Sequence, residues 1–166
     1  MLDTMTRYLA AIKEPISRRA VRSVVRPLVD RFSSLPLTSA GLVIHGAGSA
    51  LAKTGASDFY ASVQGDLVKI ASGTDMPALT GINISAGSFN VAVFFVDTAG
   101  TVTVAGGTQG ATLAAVNWPQ FPEGKALVGF LIITYASAFT GGTTPLDTAT
   151  TVYVSPLGPF DPTALV

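Results

Sequence analysis

The sequence has no cysteine, one histidine and one tryptophan, and only 12% of its 166 residues are charged. Without cysteine there can be no disulfide, no thiolate zinc ligand and no thiol nucleophile. The lone imidazole, His45, cannot by itself build a metal site, which takes three or four donors. Long apolar runs are missing as well. The longest, Ala126 to Ala136, spans 11 residues, where a membrane helix needs about 20. A secretory leader is not expected either, because Arg7, Lys13 and Glu14 interrupt the apolar character of the first residues. What is present is 48% hydrophobic, which argues against disorder. Seventeen glycines and ten prolines promise many turns.

A net charge of zero conceals two opposite halves. Residues 1–35 hold seven cations against three acids, and residues 36–166 hold three cations against seven acids, a balance of +4 against −4. Six of the seven N-terminal cations are arginine, which pairs bidentately with carboxylates or phosphates. The periodicity predicts helix there: Asp3 or Thr4 can cap a first segment that Pro15 ends, and Ser17 can cap a second. Val21, Val24, Val25, Leu28 and Phe32 recur at three- and four-residue steps as an apolar stripe, with Pro27 as a kink. Arg18, Arg19, Arg22, Arg26 and Arg31 are the candidate contacts to an acidic partner. The plain alternative is a solvated helical face. Nucleic acid is the weaker partner, since the rest of the chain is acidic and basic residues do not interleave with aromatics.

Beyond Ser33 short β-branched runs alternate with Gly, Asp and Thr. Strands are predicted near Leu42–His45, Phe59–Val63, Leu67–Ala71, Ile82–Ile84, Phe89–Val96, Thr101–Ala105, Leu127–Tyr135 and Thr151–Val154. Asp97-Thr98-Ala99-Gly100 fits a type I hairpin turn. The stretches 106–112 and 137–150 read as loops, and Pro156, Pro159 and Pro162 mark an extended tail. The expected fold is therefore mainly β: an antiparallel β-sandwich or barrel-like body over 36–166, carrying an N-terminal α-helical arm over 1–35. A chain beginning at Leu37 is expected to keep the body fold.

Phe89–Val96 and Leu127–Tyr135 are apolar on both faces when read with strict alternation. One wet face would demand polar residues at every second position. No helices alternate with these strands to cover them, so sister subunits are the expected cover, with Phe94, Val96, Phe130 and Ile132 at the interface of a homotrimer.

Chemistry-bearing motifs do not survive inspection. Gly46-Ala47-Gly48-Ser49-Ala50-Leu51 lacks the third small residue of a dinucleotide loop, and the order of a phosphate-binding P-loop is missing. Asp97-Thr98-Ala99-Gly100 has an alanine where an aspartic-protease triplet would end, and a turn accounts for it. His45 reads as structural, with no Gly-x-Ser-x-Gly elbow to pair with it. Acids in turns usually serve the turn. Trp118 could stack a sugar or base, though a packing anchor is the commoner role. No catalytic, cofactor or metal site stands out, and no enzyme activity is expected.

Three stretches carry a resemblance: 91–103 (Val-Ala-Val-Phe-Phe-Val-Asp-Thr-Ala-Gly-Thr-Val-Thr), 121–129 (Phe-Pro-Glu-Gly-Lys-Ala-Leu-Val-Gly) and 139–143 (Phe-Thr-Gly-Gly-Thr). This pattern of turns and strands, lying between Asn90 and Val154, resembles a β-domain recurring in tailed-bacteriophage virion surface proteins, the head fibres and capsid decoration or cement proteins. The resemblance implies a β-rich homotrimer on the outer capsid surface, anchored through its N-terminal region to the major capsid protein. The alternative it leaves open is a receptor- or glycan-binding module of a tail or head fibre, with loops 106–112 and 137–150 around Trp118 meeting a host-surface glycan.

Overall fold

The computed structural model describes residues 32–160, and the chain there is mainly β, built as several antiparallel sheets with no closed barrel. The helical reading of 1–31, and with it Arg18, Arg19, Arg22, Arg26 and Arg31, lies outside the described residues.

A four-stranded sheet forms the centre. Its order is β11 (Thr150–Val154), β9 (Ala126–Thr134), β7 (Phe89–Val96) and β8 (Val102–Gly106). A three-stranded sheet of β1 (Leu35–Pro36), β4 (Phe59–Val63) and β5 (Asp66–Ile70) packs on one face. Two short pairs complete the fold: β2 (Val43–Ile44) with β3 (Ala52–Lys53), and β6 (Asn83–Ile84) with β10 (Phe139–Thr140). All eight expected strands are present to within about a residue or two at most ends. Leu35–Pro36, Ala52–Lys53 and Phe139–Thr140 are additional, each too short to show alternation.

The hairpin joining β7 to β8 forms as its residues dictate. Gly100 donates its N–H to the Asp97 carbonyl at 3.0 Å, and Asp97 Oδ1 accepts from the amides of Ala99 and Thr101. Gly100 has φ +79°, which only a residue without Cβ adopts freely.

Both faces of β7 and β9 are covered, but by the chain itself. Ala92, Phe94 and Val96 join Phe59, Ala61, Val63, Val68 and Ile70 in one core between the two sheets. Val91, Val93, Phe95, Leu127 and Phe130 form a second core on the opposite face. Val116 lies in that second core, and Leu113, Trp118, Phe121 and Phe160 close over it. The covering segments come from the stretch between β8 and β9 and from the chain beyond β11. Bridges from Thr108 to Asn117 and from Phe89 to Gly110 pin the first of them.

Strict alternation fails in β9. The register runs Phe94↔Gly129 and then Phe95↔Leu127, so Val128 is an extra residue, a β-bulge. The bulge sends Val128 to the first core with Leu131 and Ile133, and Leu127 to the second with Phe130. The expected subunit interface is corrected accordingly. Phe94 and Val96 lie on one face of the sheet and Phe130 and Ile132 on the other, so they form no single surface. Phe94, Val96 and Phe130 are each 0% exposed within one chain, and a neighbour cannot reach them. Only Ile132 remains partly exposed.

The break expected between residues 35 and 36 falls inside a sheet. Ser62 Oγ donates to the Ser33 carbonyl at 2.9 Å, and Ser34 Oγ accepts from the Gln64 amide at 3.1 Å. The tail is also packed: Gly158 donates its N–H to the Pro36 carbonyl at 3.2 Å, and Phe160 lies 4.9 Å from Phe130, centroid to centroid.

Candidate functional site

Phe32 and Phe160, the first and last described residues, line one groove of about 420 Å³. Its walls are β1, residues 120–125 and residues 158–160. Phe32 is 63% exposed there. Glu123 and Lys125 bring one charge of each sign, and the Lys125 ammonium donates to Thr103 Oγ1 at 3.0 Å. The basic N-terminal segment therefore enters the body at this groove. The adjoining β1–β4–β5 sheet carries exposed leucines near both of its edges. Leu35, Ser62 and Leu67 stand opposite one another across β1, β4 and β5, with Leu37 following β1 and Leu157 preceding the Gly158–Pro36 bond. Leu37, Leu67 and Leu157 are all more than half exposed.

Another recess, of about 450 Å³, opens at the end of β7 between β6, the end of β8 and the loop after it. Asn90 reaches it from the sheet, Thr80 and Asn83 from one side, and Thr108 and Gln109 from the other. Gln109 is fixed by accepting from the Ser85 amide and donating to Ser85 Oγ. The sequence did hold one signal for this recess. Asn90 is the sole polar side chain in the run Phe89–Val96.

The remaining polar groups pair locally. His45 Nδ1 lies 2.5 Å from Asp75 Oδ1, both side chains about half exposed, so His45 is partnered but not buried. Among the described residues no hydroxyl engages its other ring nitrogen, and no group of three or more His, Asp or Glu is placed to hold a metal. Asp58 sits 2.7 Å from the Lys69 ammonium and accepts the Ser72 amide. The Lys69 partner, with the Ser72 bond, holds the Asp58 carboxyl below its usual value, and Asp58 in turn raises Lys69. Asp147 accepts the Gly48 amide at 2.6 Å, closing one loop on another. Burial, with Asp147 adding to it, raises the Tyr153 phenol.

Trp118 does not offer a platform. It packs edge-on to Phe130 and against Phe160 in the second core, whereas Phe139, Leu146 and Ala149 of the 137–150 stretch lie in the first. The two expected loops therefore do not converge around it. No family model, curated protein or solved structure matches the chain.

Proposed function

We propose that the chain is a structural protein of a tailed-phage virion, a homotrimeric decoration or cement protein on the outer surface of the head. In this reading the three- and four-stranded sheets are the two layers of a β-sandwich, and the basic segment that precedes them is the arm that binds the major capsid protein. The arm's arginines supply ion pairs to an acidic partner, and its apolar stripe supplies buried area.

One observation carries the reading: the basic segment joins the body beside Phe32, at the groove that Phe160 also lines. A body whose segments at Phe32 and Phe160 meet at one groove suits a domain that projects from a shell. The resemblance adds support, since 91–103 spans the β7–β8 hairpin, 121–129 leads into β9, and 139–143 begins with β10. Trimer formation draws on exposed leucines: Leu67 on β5 is 69% exposed, and Leu157, next to the Gly158–Pro36 bond, is 61% exposed. Exposed apolar area of this kind is where subunits meet.

Immunogold labelling of purified particles from the genome that encodes the chain tests the reading. Label spread over the head is the expected result. Label confined to the tail, or none on particles, overturns it.

A further inference from the structure

We infer that the recess beside Asn90 binds a neutral saccharide unit, a function separate from attachment to a shell. Asn90 is 3% exposed and projects from the start of β7 toward the recess it lines. Its Oδ1 accepts the Val91 amide at 2.8 Å, while its Nδ2 has no acceptor among the described residues. A carboxamide carries two donors at that nitrogen, and since no fully buried side-chain nitrogen among the described residues lacks a partner, this one keeps its contact with solvent at the recess. A ligand oxygen in the recess can take the place of that water.

The wall around this amide depends on a missing side chain. A Cβ on Gly107 would lie 2.9 Å from Asn90 Oδ1 and 2.6 Å from the Asn117 carbonyl. Only glycine lets the loop close this tightly on the asparagine. Gly107 also donates to the Val91 carbonyl at 2.9 Å, so the loop is held where it closes.

The lining selects the ligand class. Among the described residues no charged side chain lines the recess, so a phosphate, sulfate or carboxylate finds no countercharge in its walls. No aromatic is among those lining residues either, and a nucleobase would lack its stacking surface. What the lining offers are groups that both donate and accept: the Asn83 carboxamide and the hydroxyls of Thr80 and Thr108. Sugar hydroxyls also do both. Ile82 and Val104 supply apolar surface for the C–H face of a ring. The volume falls within the roughly 300–1,000 Å³ usual for small-molecule sites.

Two-dimensional amide NMR of the full chain tests this, with glucose, galactose, mannose and N-acetylglucosamine as probes and adenosine monophosphate and sulfate as comparators. Each is added to about 10 mM, ten times a millimolar Kd. At least one sugar should shift the Asn90 side-chain amide and the Gly107 and Thr108 backbone amides in a saturable way. Asn90→Ala should abolish the shifts, and Asn83→Ala, at an exposed rim position, should weaken binding about tenfold, 1.4 kcal/mol. If Asn90→Ala does not fold, Asn83→Ala and Thr108→Val decide. No saturable shift with any sugar, undiminished binding in these variants, or binding of the nucleotide or sulfate alone overturns the inference.

Discussion

The indole of Trp118 meets the ring of Phe130 edge-on, with centroids 4.9 Å apart and planes at 81°. This T-shaped contact fastens the crossing segment between β8 and β9 to the face of the sheet, and edge-to-face pairs add about 0.5–1.5 kcal/mol beyond burial. Phe130→Ala should cost about 3–5 kcal/mol, since a fully buried ring leaves a cavity. Trp118→Ala should cost less, because the indole is only partly buried. Urea unfolding followed by circular dichroism measures both. If Trp118 were a free binding surface, its removal would leave the midpoint unchanged.

Phe94 and Leu67 should respond oppositely to aspartate. Phe94 is 0% exposed and Leu67 69%. Phe94→Asp buries an unpaired charge and should abolish folding. Leu67→Asp should leave the circular dichroism spectrum intact and weaken self-association, read as a fall in mass by light scattering. A folded Phe94→Asp protein would contradict the burial described above.

Stability should fall at both ends of the pH range. The Asp58 carboxyl is lowered from its ordinary value of 3.8 by Lys69 and the Ser72 amide. Its contribution is present above that value and is lost as pH drops through the lowered one. The Tyr153 phenol is raised from 10.0 by burial and by Asp147. That contribution is complete below pH 10.0 and is lost as pH climbs through the raised value. Lys69, raised from 10.5 by Asp58, acts in the same alkaline direction. Urea midpoints measured from pH 2 to 12 should show both limbs, Asp58→Asn flattening the acid limb and Tyr153→Phe the alkaline one.

Truncation should distinguish two starting points that differ by four residues. A chain beginning at Ser33 retains β1 and its bonds to β4 and Gly65. One beginning at Leu37 loses the Ser33 and Ser34 bonds, the β1 pairing and the Pro36 acceptor of Gly158. The shorter chain should be less stable by about 2–4 kcal/mol, at roughly 1 kcal/mol for each hydrogen bond lost. Equal urea midpoints would show that β1 adds nothing.

Legibility from the sequence followed the length of the local pattern. Phe59–Val63, Phe89–Val96 and the Asp97–Gly100 turn could be read because their period and turn chemistry are contained within a few residues. Leu35–Pro36 and Phe139–Thr140 could not, because two residues have no period and pair only through distant partners, Ala61 and Ser62 for one and Asn83 and Ile84 for the other. The bulge at Val128 was hidden for the same reason: register belongs to the pair of strands, and Leu127–Tyr135 alone looks regular. The second core escaped because Leu113, Val116, Trp118, Phe121 and Phe160 sit in segments with no periodicity. Of the recess, Asn90 was visible as a polar interruption, while Asn83 and Thr108 are brought to it only by the fold.

The bond from Gly158 to Pro36 also sets a timetable. These residues stand at opposite ends of the body, and Phe160 reaches its place against Phe130 only after the rest of the sheet exists. A chain emerging from the ribosome with β1 first must hold that strand without its final partner until residue 160 has left the exit tunnel. Pairings between distant residues are slow to form, and unpaired edges invite aggregation while they wait. Completion of this body therefore waits until residue 160 is free of the ribosome, and the nascent chain, with Leu35 on a β1 edge still short of its Gly158 bond, is the species in which misassembly would begin.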